Sequence, residues 1–547
     1  MKYVLNQKQM QTVDRYSMDH MGISALFLME QAARSVAKAI QARFSKENAI
    51  LIVVESGNNG GDGLALARIL KENEYDVTVY YIHGIEHVSD SFTEQMKLAM
   101  EKDVLITEEI PADARFDVVV DGIFGVGLKR MVRGIHARVI DWMNRLTGYK
   151  VAIDIPSGIH ATTGDTMGTV FCADLTVTFG YLKMGLVLYP GSDMAGEVLV
   201  EEIGFPEESL RHARPSAVTF GSGTKAVHTA LSYYPARENR SNKGTYGNVL
   251  LIVGSKGMAG AACIAAKAAY RCGCGLVRVL THSSNREIIQ IQVPEAVVLS
   301  YTTLQEAYDL LDANWKWADA VLIGSGMGLG ETARKLTHAV VTYGDAQKGS
   351  MPVVVDGDAL RILAEESGIW EEYQSLPLQS RPYLTLTPHV KEMSRLCGKD
   401  TGKIAARLMD TANQYIRRNR LQGQMTVVLK DARTIVTDGK SPTYINMTGN
   451  HGMATAGSGD CLAGMLISLL AQQHRQKKGG RAKETMLSNM QLLPVLGNPL
   501  QTMACAGVCL HGAAGDVARK RVGTIGMMAM DIVDAIPEVL KAYDKIK

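Results

Sequence analysis

The chain has 547 residues, of which 46% are hydrophobic and 21% are charged, and its formal net charge is +2. This is the composition of an ordinary globular protein, so a mainly disordered chain is excluded. The near balance of charge gives no indication of a nucleic-acid or membrane-surface partner. At about 150 residues per domain, the length favours two to four domains.

The amino terminus lacks the apolar segment of a signal peptide, and no run reaches the ~18 apolar residues that span a bilayer. The eight cysteines include no CxxC pair. Cys505 and Cys509 leave metal binding open, but packing as small hydrophobic side chains explains them better. We therefore expect a reduced, cytoplasmic protein with no nucleic-acid or membrane partner.

Apolar runs of strand length alternate with helical patterns through the first part of the chain. The strand candidates are Ala49–Val54, Val77–Ile82, Asp117–Val120, Lys150–Ile153 and Leu175–Phe179. Continuous apolar strands separated by helices predict a parallel sheet that helices cover on both faces.

Three of these strands are followed by loops rich in glycine and polar residues. The loops are 56–63 (SGNNGGDG), 121–127 (DGIFGVG) and 154–158 (DIPSG). Glycine lets a backbone approach a ligand closely, and a helix that starts in the first loop offers unpaired N–H groups to an anion. A tight turn would explain the glycines of that loop but not Asn58, Asn59 and Asp62. Because the carboxyl ends of parallel strands meet at one edge of a sheet, we expect one ligand crevice there.

The order GNNGGDG, VVVDGIFGVG, AIDIPSG resembles the epimerase domain of the NAD(P)H-hydrate repair enzymes, over approximately residues 1 to 205. The resemblance implies a Rossmann-like fold that binds NADHX or NADPHX, nicotinamide cofactors hydrated at C6. Asp154 would face the nicotinamide and move protons between the two C6 epimers. The implied substrate-binding residues are Asn58, Asn59, Gly60, Gly61, Asp62, Gly125, Val126, Gly127, Leu128, Lys129, Arg130, Met131 and Asp154. The resemblance also implies potassium held by oxygen atoms of Asn59, Asp121 and Ser157, which suit a hard cation.

Residues 204–245 are rich in Pro, Arg, Ser and charge, with little periodicity. We place the domain boundary there, near Arg214, which gives domains of residues 1–214 and 215–547. A second strand–helix series begins at Tyr246–Ser255 and continues through AVLIGSG, PVVVDGD and the hairpin-like MTVVLKDARTIVTDG. The segment 474–502 interrupts two strong helical patterns and is interpreted as a surface insertion.

In the second domain, residues 446–460 (NMTGNHGMATAGSGD) lead directly into CLAGMLISLLAQQ. The latter is apolar on every face, which predicts a buried helix. A glycine-rich turn at the start of such a helix directs several N–H groups and the helix dipole at one point. The unbroken small residues favour an anion hole beside a general base, Asp460, over a carboxylate that merely begins the helix.

The same segment resembles the ribokinase-like fold and, more narrowly, the dehydratase domain of the same repair enzymes, from about residue 218 to the end. Further motifs agree in order, namely GSKGMAGA at 254–261, GSGMG at 324–328, DGD at 356–358, TPH at 387–389, KDART at 430–434 and HGAAGD at 511–516. The fold class expected for the whole chain is therefore α/β, with a Rossmann-like three-layer domain followed by a larger ribokinase-like domain.

The dehydratase resemblance implies that ADP or ATP, with magnesium, phosphorylates the C6 hydroxyl, which then leaves as phosphate and restores the dihydronicotinamide. Asp460 would take the hydroxyl proton, and the amides of residues 457–459 would stabilise the transferring phosphoryl group. The implied hydrate site is Ala261, Gly326, His389 and Asp460, and the implied nucleotide site is Lys430, Asp431, Ala432, Arg433, Thr434 and Gly459. An ordinary core or cap histidine is the alternative interpretation of His389.

Two positions depart from the family pattern. Asp431 follows Lys430, and Lys391 precedes Glu392, where the family usually has glycine in both places. An added carboxylate near phosphates is electrostatically unfavourable unless it points away or meets a metal. The departures therefore bear on nucleotide affinity.

Two other functions stay open at this point. A ribokinase-like small-molecule kinase with a fused ligand-binding domain would share Asp460 but give a stable phosphorylated product. Alternatively, the first domain is a nucleotide-sensing or protein-binding module, although a scaffold needs no strand-end carboxylate such as Asp154. For the repair enzyme we expect a homo-oligomer that acts on NADHX and NADPHX and uses ADP in preference to ATP.

Overall fold

The computed structural model describes residues 1–82, 88–110, 115–345, 351–478, 496 and 498–545. The chain divides into two compact units, one of Lys2–Ala217 and one of Val218–Lys547 with Met1. Most of the predicted insertion at 474–502 lies outside the described residues.

The first unit is built on a parallel sheet. Its strands are β1 (Lys2–Leu5), β2 (Ala49–Val54), β3 (Asp76–Tyr81), β4 (Leu105–Thr107), β5 (Val118–Gly122), β6 (Tyr149–Ile153), β7 (Leu175–Phe179), β8 (Leu182–Lys183) and β9 (Glu197–Glu201). Its helices are α1 (Gln7–Asp19), α2 (Ala25–Gln41), α3 (Asn58–Glu72), α4 (Asp90–Glu101), α5 (Gly134–Arg145), α6 (Gly191–Met194) and α7 (Glu207–Ala213). Seven strands form one sheet in the order β4-β3-β2-β5-β6-β7-β9, all parallel, and β1 pairs in parallel with β8.

Strand β2 shows why this sheet is covered on both faces. Ile50, Ile52 and Val54 pack into one core cluster together with α2 and α3. The alternate side chains, Leu51 and Val53, pack into a second cluster with α5. Successive side chains of a strand point to opposite faces, so a continuous apolar strand requires two apolar layers around it. The predicted three-layer arrangement is confirmed.

The predicted strands agree closely with those of the structure. Ala49–Val54 and Leu175–Phe179 have the expected bounds, while the other three candidates begin or end one or two residues away. The interval 204–245, which has little periodicity, nevertheless contains two helices and a strand. These elements are short, so each offers too few residues for a period to show.

The second unit has its own mainly parallel sheet. Its strands are β10 (Ala217–Thr219, which begins at the last residue of the first unit), β11 (Asn248–Ile252), β12 (Leu276–His282), β13 (Val297–Tyr301), β14 (Ala320–Ile323), β15 (Pro352–Val355), β16 (Tyr383–Leu386), β17 (Met425–Leu429), β18 (Ile435–Thr437) and β19 (Thr443–Ile445). Its helices are α8 (Gly223–Ser232), α9 (Ala259–Arg271), α10 (Arg286–Gln292), α11 (Leu304–Trp315), α12 (Glu331–Val341), α13 (Gly357–Glu365), α14 (Gly368–Ser375), α15 (Val390–Cys397), α16 (Thr401–Ala405), α17 (Leu408–Arg418), α18 (Ser458–Lys478), α19 (Pro499–Val522) and α20 (Ala529–Leu540).

Strands β13-β12-β11-β14-β15-β16-β17-β18-β19 are neighbours in this order. The pairs are parallel as far as β17, and the pairs β17–β18 and β18–β19 are antiparallel. The hairpin predicted from MTVVLKDARTIVTDG is therefore confirmed. The first strand of the series starts at Asn248 instead of Tyr246, because Lys243–Tyr246 form a 3₁₀ turn that Asn242 caps.

Helix α18 is buried along most of its length, as the sequence predicts. Residues 461–473 are all buried, and the helix packs between α9 and α19. Cys505 and Cys509 are also buried, in α19, and burial raises the pKa of the Cys509 thiol to about 12. Both side chains are fully buried and pack as small apolar groups. Among the described helices, none combines the length and apolar character needed to cross a membrane.

Candidate active sites

The three glycine-rich loops of the first unit follow three adjacent strands. β2, β5 and β6 lie side by side in the sheet, and the chain continues from β2 towards one edge and from β5 towards the other. A point where the strand order reverses leaves a crevice at the carboxyl ends of the strands, where ligands bind in open α/β sheets. The expected convergence of the loops is confirmed.

A cavity of about 920 Å³ occupies this crevice. The predicted substrate-binding residues that line it are Asn58, Asn59, Asp62, Gly125, Val126, Gly127, Leu128, Lys129, Arg130, Met131 and Asp154. Gly60 and Gly61 are buried in the loop beside it instead. The side-chain amide nitrogen of Asn59 is buried and finds no hydrogen-bond partner among the described residues. A buried unpaired donor is costly, so this one favours a ligand that accepts its hydrogen bond.

Gly60 is needed for the shape of the first loop. A Cβ at this position would lie 1.7 Å from the carbonyl oxygen of Glu55, a backbone atom that a rotamer change cannot move. Glu55 in turn accepts hydrogen bonds from Ser56 Oγ at 3.1 Å and from the Gly57 N–H at 3.0 Å. The start of α3 therefore packs directly against the end of β2.

Gly60→Ala is expected to lower the stability of the first unit by about 1–3 kcal/mol, because the added methyl group overpacks against fixed backbone. For a unit of this size, that corresponds to a fall of roughly 2–4 °C in the midpoint per kcal/mol, measured by calorimetry. Gly127→Ala is the matched control, since nothing lies within 4 Å of a Cβ built there. Equal midpoints for Gly60→Ala and the wild type would contradict the described packing.

Asp154 is held by a buried lysine that the sequence analysis does not identify. Its Oδ1 accepts hydrogen bonds from Lys183 Nζ at 2.5 Å, Thr178 Oγ1 at 3.0 Å and the Phe179 N–H at 3.2 Å. The Lys183 side chain is 1% exposed, and its ammonium also donates to Thr178 Oγ1 at 2.9 Å and to the Phe179 carbonyl oxygen at 2.7 Å. The backbone of Asp154 adopts φ 65°, an uncommon conformation for a residue other than glycine. A strained, fixed carboxylate at a cavity wall is a feature of functional sites.

One signal in the sequence marks Lys183. It is a single lysine inside the apolar run TVTFGYLKMGLVLY, where a charge is buried only if it is paired. Two further acids line the same cavity, Asp14 and Asp62. Burial raises the pKa of Asp62 well above its usual range, and the neighbouring carboxyl groups of Asp154 and Asp14 raise it further. The sequence predicts a ligand role for Asp62 but does not single out Asp14, which precedes all of the glycine motifs.

The three residues predicted to hold potassium are placed close to this cavity. Both oxygens of the fully buried Asp121 accept hydrogen bonds, from Ser157 N–H at 2.7 Å, Ser157 Oγ at 2.7 Å and Ile123 N–H at 3.1 Å. Burial raises the pKa of Asp121 to about 6, although the bonds from Ser157 and Ile123 oppose this shift. In the described part of the unit, no cationic side chain pairs with Asp121. A buried carboxyl without a cation, hydrogen-bonded to a serine hydroxyl, fits a hard monovalent ion.

In the second unit, the first two glycine loops are joined by backbone hydrogen bonds. The Gly254 N–H donates to the Ser325 carbonyl oxygen at 3.0 Å, and the Ser255 N–H donates to that of Gly326 at 2.7 Å. A Cβ on Gly326, whose φ is 63°, would lie 2.9 Å from the Cβ of Ala261. The predicted hydrate-site residues Ala261 and Gly326 are thus in contact, and the absence of a side chain at 326 makes this possible.

A buried ion pair includes Lys430 of the predicted nucleotide site. Asp356 Oδ1 accepts hydrogen bonds from Lys430 Nζ at 3.0 Å and Thr387 Oγ1 at 2.6 Å, and its Oδ2 accepts one from Ser325 Oγ at 3.1 Å. Burial opposes the positive charge of Lys430, but Asp356, Glu392 and the other nearby carboxyl groups outweigh it, so the pKa of Lys430 is raised. Lys430 is therefore held as a cation at the site, as a phosphate-binding group requires.

Asp460 lies in the first turn of α18, close to this cation. A Cβ on Gly459 would lie 3.3 Å from Lys430 Nζ, and one on Gly457 would lie 3.9 Å from Asp460 Oδ2. Burial and the carboxyl group of Asp356 raise the pKa of Asp460 to about 6, while the neighbouring Ser325 and the charge of Lys430 oppose this shift. A general base works best when its pKa lies close to the working pH, which fits the predicted role of Asp460.

His389 is the N-cap of α15. Its Nδ1 accepts hydrogen bonds from the N–H groups of Lys391 at 3.1 Å and Glu392 at 3.3 Å. The ring is half-exposed, and its backbone forms a bridge with Lys430. Capping of α15 is enough to explain a histidine at this position. Because His389 also lies beside Lys430, its role in the hydrate site stays a prediction. Lys391 and Asp431, the departures from the family pattern, are both exposed.

The loop before α18 is tied to α19 through Asp516. This carboxylate accepts hydrogen bonds from the Gly449 N–H and from Asn450 Nδ2, both at 3.0 Å. Thr448 Oγ1 donates to the Cys509 carbonyl oxygen at 2.8 Å. Asp516 of the HGAAGD motif therefore fixes the loop that leads to α18.

Both parts of the chain match known families. Residues 249–538 match the family described as NAD(P)H-hydrate dehydratase, and residues 25–185 match the one described as YjeF-related protein N-terminus. The protein of Thermofilum pendens is 31% identical, covering 98% of this chain and 96% of its own. Those of Moorella thermoacetica and Escherichia coli are 32% and 31% identical, covering 99% and 96% of this chain and 97% and 92% of their own. All three are named bifunctional NAD(P)H-hydrate repair enzymes.

The chain belongs to the bifunctional NAD(P)H-hydrate repair family. The predicted family, the α/β fold class and the class of bifunctional enzyme are thereby confirmed. A solved ribokinase-like protein of Enterococcus faecalis is 26% identical, with a TM-score of 0.45, and covers 58% of this chain and 94% of its own. The roles of individual residues within the repair enzyme stay predictions.

Proposed function

We propose that this protein repairs hydrated nicotinamide cofactors in two steps. Residues 1–214 interconvert the R and S epimers of NADHX and NADPHX, and residues 215–547 dehydrate the S epimer to NADH or NADPH with a nucleotide as co-substrate. The observation that carries the proposal is that each unit places one carboxyl group in a pocket or loop suited to a ligand. Asp154 lies in a cavity at the carboxyl ends of a parallel sheet, and Asp460 lies at a glycine-rich helix start beside Lys430.

The first site suits a proton transfer on a cofactor. The helix start at residue 58 and the loop 125–131 would hold its phosphates and sugars, since backbone N–H groups at a helix start favour anions. Asp154 would face the nicotinamide with the one carboxylate oxygen that Lys183, Thr178 and Phe179 leave free. Its fixed position reduces the reorganisation needed during the transfer.

The second site suits phosphoryl transfer. Asp460 takes the proton of the C6 hydroxyl, and the hydroxyl oxygen attacks the terminal phosphoryl group of the nucleotide. The nucleotide departs with one phosphate fewer. The phosphate then leaves from C6 while a proton leaves C5, which restores the double bond. The amides of residues 457–459 and the ammonium of Lys430 would stabilise the charge that moves.

Magnesium would be held mainly by the nucleotide's phosphates and by water. This ion commonly keeps several waters and takes one or two carboxylates from a protein. Asp356 accepts hydrogen bonds from Lys430, Thr387 and Ser325, and Asp358 accepts one from the Gly328 N–H at 2.7 Å.

ADP is proposed as the donor, because the fusion of both domains resembles the bacterial arrangement of these enzymes, which uses ADP.

Potassium is proposed for the first site. Asp121→Asn keeps the size of the side chain but removes its charge, and is expected to raise the potassium concentration for half-maximal epimerisation by roughly 10–100-fold. A potassium titration of the epimerisation rate measures the effect, and circular dichroism checks the fold. Asp117→Asn is the control, because Asp117 is exposed just before the start of the same strand. A wild-type potassium dependence in Asp121→Asn would show that Asp121 is a structural residue only.

Incubation of the full chain with one purified epimer of NADHX tests the proposed function. Without nucleotide, chromatography should show the other epimer appearing. With ADP, absorbance should show NADH appearing, and the same measurement with ATP decides the nucleotide. Accumulation of a stable phosphorylated compound, with the hydrate left unchanged, would favour the kinase alternative.

Because all eight cysteines are free thiols, we place this activity in the reducing cytoplasm.

A further inference from the structure

When C6 is inverted by loss and re-addition of water, protons must be transferred on both faces of the nicotinamide ring. The epimers differ only in the face of C6 that carries the hydroxyl group. The hydroxyl on one face must leave as water, which requires an acid, and water must add to the other face, which requires a base. Asp154 is one carboxyl group, and three donors occupy its Oδ1. A single fixed carboxylate on one side of a bound ring would leave the other face without an acid–base group.

Asp14 offers the second group. It lies on α1, whereas Asp154 follows β6, so the two side chains reach the cavity from different elements. Among the described residues, no hydrogen-bond or ion-pair partner is found for the Asp14 carboxyl, in contrast to the three donors on Asp154. The helix is fixed at its start by a capping box between Asn6 and Gln9. Asp14 is thus a half-buried acid on a helix whose start is fixed, and its side chain lines the cavity.

The electrostatics of Asp14 agree with a proton that is exchanged near neutral pH. Burial raises its pKa to about 7, Lys183 lowers it, and Asp154 raises it. The pKa of Asp62, the other unpaired carboxyl, lies well above its usual range, and Asp62 belongs to the helix start that suits phosphates. The titratable groups that line the cavity are Asp14, Glu55, Asp62, Lys129, Arg130, Arg133, His136, Asp154 and Lys183.

We propose that Asp14 is the second acid–base residue of epimerisation and acts on the ring face opposite to Asp154. The inference rests on the proposed function. Protonated Asp14 gives its proton to the departing hydroxyl, the C6–O bond breaks, and the lone pair of N1 forms a C6=N1 double bond. Water then adds to C6 on the other face, Asp154 takes a proton from it, and the electron pair returns to N1. The enzyme ends with the proton on Asp154, which is the form that converts the product epimer back.

Asp19 provides a matched control on the same helix. It is exposed and does not line the cavity.

The test measures epimerisation by the full chain, without nucleotide, from pH 5 to 9. Asp14→Asn is expected to reduce kcat by roughly 10²–10⁴-fold, with KM little changed, whereas Asp19→Asn keeps the wild-type rate. Asp14 must be protonated to release the hydroxyl group as water. In the direction that starts from protonated Asp14, the wild-type rate should therefore fall as pH rises through about 7, and this fall should be absent in the residual activity of Asp14→Asn.

A wild-type rate in Asp14→Asn, or an increase in KM alone, overturns the proposal. If that variant does not fold, as judged by its melting curve, the wild-type profile decides, because a rate that does not fall near pH 7 also overturns it. A loss in Asp62→Asn with none in Asp14→Asn would assign the second proton to Asp62 instead. A wild-type chain that does not interconvert the epimers at all would refute the proposed function and this inference together.

Discussion

Asp460→Asn is expected to reduce nucleotide-dependent dehydration by roughly 10²–10⁴-fold while nucleotide binding is largely retained. Asparagine keeps the size of the side chain but accepts no proton from the C6 hydroxyl. The amides of residues 457–459 and the Lys430–Asp356 pair stay in place, and these are the groups that would hold the nucleotide. Calorimetric titration with ADP and an assay of NADH formation separate binding from turnover.

The pH dependence of the wild type supplies a second readout for Asp460. Its pKa is raised to about 6, so the base is available above that pH and becomes protonated below it. Dehydration should therefore slow as pH falls through about 6, and the residual activity of Asp460→Asn should lack this change. Asp410→Asn, at an exposed position of the same unit, is the control. Loss of ADP binding together with activity would mean that Asp460 holds the nucleotide instead of acting as base.

Asp154→Asn is expected to slow epimerisation by roughly 10²–10⁴-fold, because the variant cannot take the proton from the substrate. It also leaves the buried ammonium of Lys183 without its carboxylate. Removing one partner of a buried ion pair commonly costs about 3–5 kcal/mol, and the asparagine oxygen, which still accepts a hydrogen bond, should place the loss near the lower end. Rate and stability therefore both fall in this variant.

Lys183→Met in the same chain separates the two effects. The double variant removes both charges and should recover stability relative to Asp154→Asn, yet its rate should stay low. Chromatography of the epimers gives the rate, and thermal unfolding gives the stability. Asp174→Asn is the control, because Asp174 is exposed just before the start of β7. Recovery of the epimerisation rate in the double variant would show that Asp154 serves only to compensate Lys183.

The sequence predicts those features that depend on neighbouring residues. Strand β2 and the buried part of α18 are apolar runs whose burial follows from their own composition, and the glycine loops come directly after predicted strands. Local order along the chain, together with the rule that ligands bind at the carboxyl ends of parallel strands, is enough to bring Asn58, Gly125 and Asp154 to one cavity.

Features that depend on distant contacts escape sequence reasoning. Lys183 pairs with Asp154 because the chain after β7 returns to the end of β6. No local sequence pattern identifies Asp154 as the partner. Asp14 reaches the same cavity from a helix that the sequence does not mark as part of the site. His389 is a cap only because α15 begins after it, a boundary that a ThrProHis motif does not fix. Single polar residues acquire roles through tertiary structure, which periodicity does not report.

The most direct test of the account uses a mixture of R and S NADHX with ADP and the full chain. If one protein carries both sites, all of the hydrate should be converted to NADH. The S epimer should react in a fast phase and the R epimer in a slower phase. One phosphate should be released for each NADH formed. Conversion that stops at the S fraction would contradict the epimerase assignment, and NADH formation without phosphate release would contradict the phosphoryl-transfer mechanism.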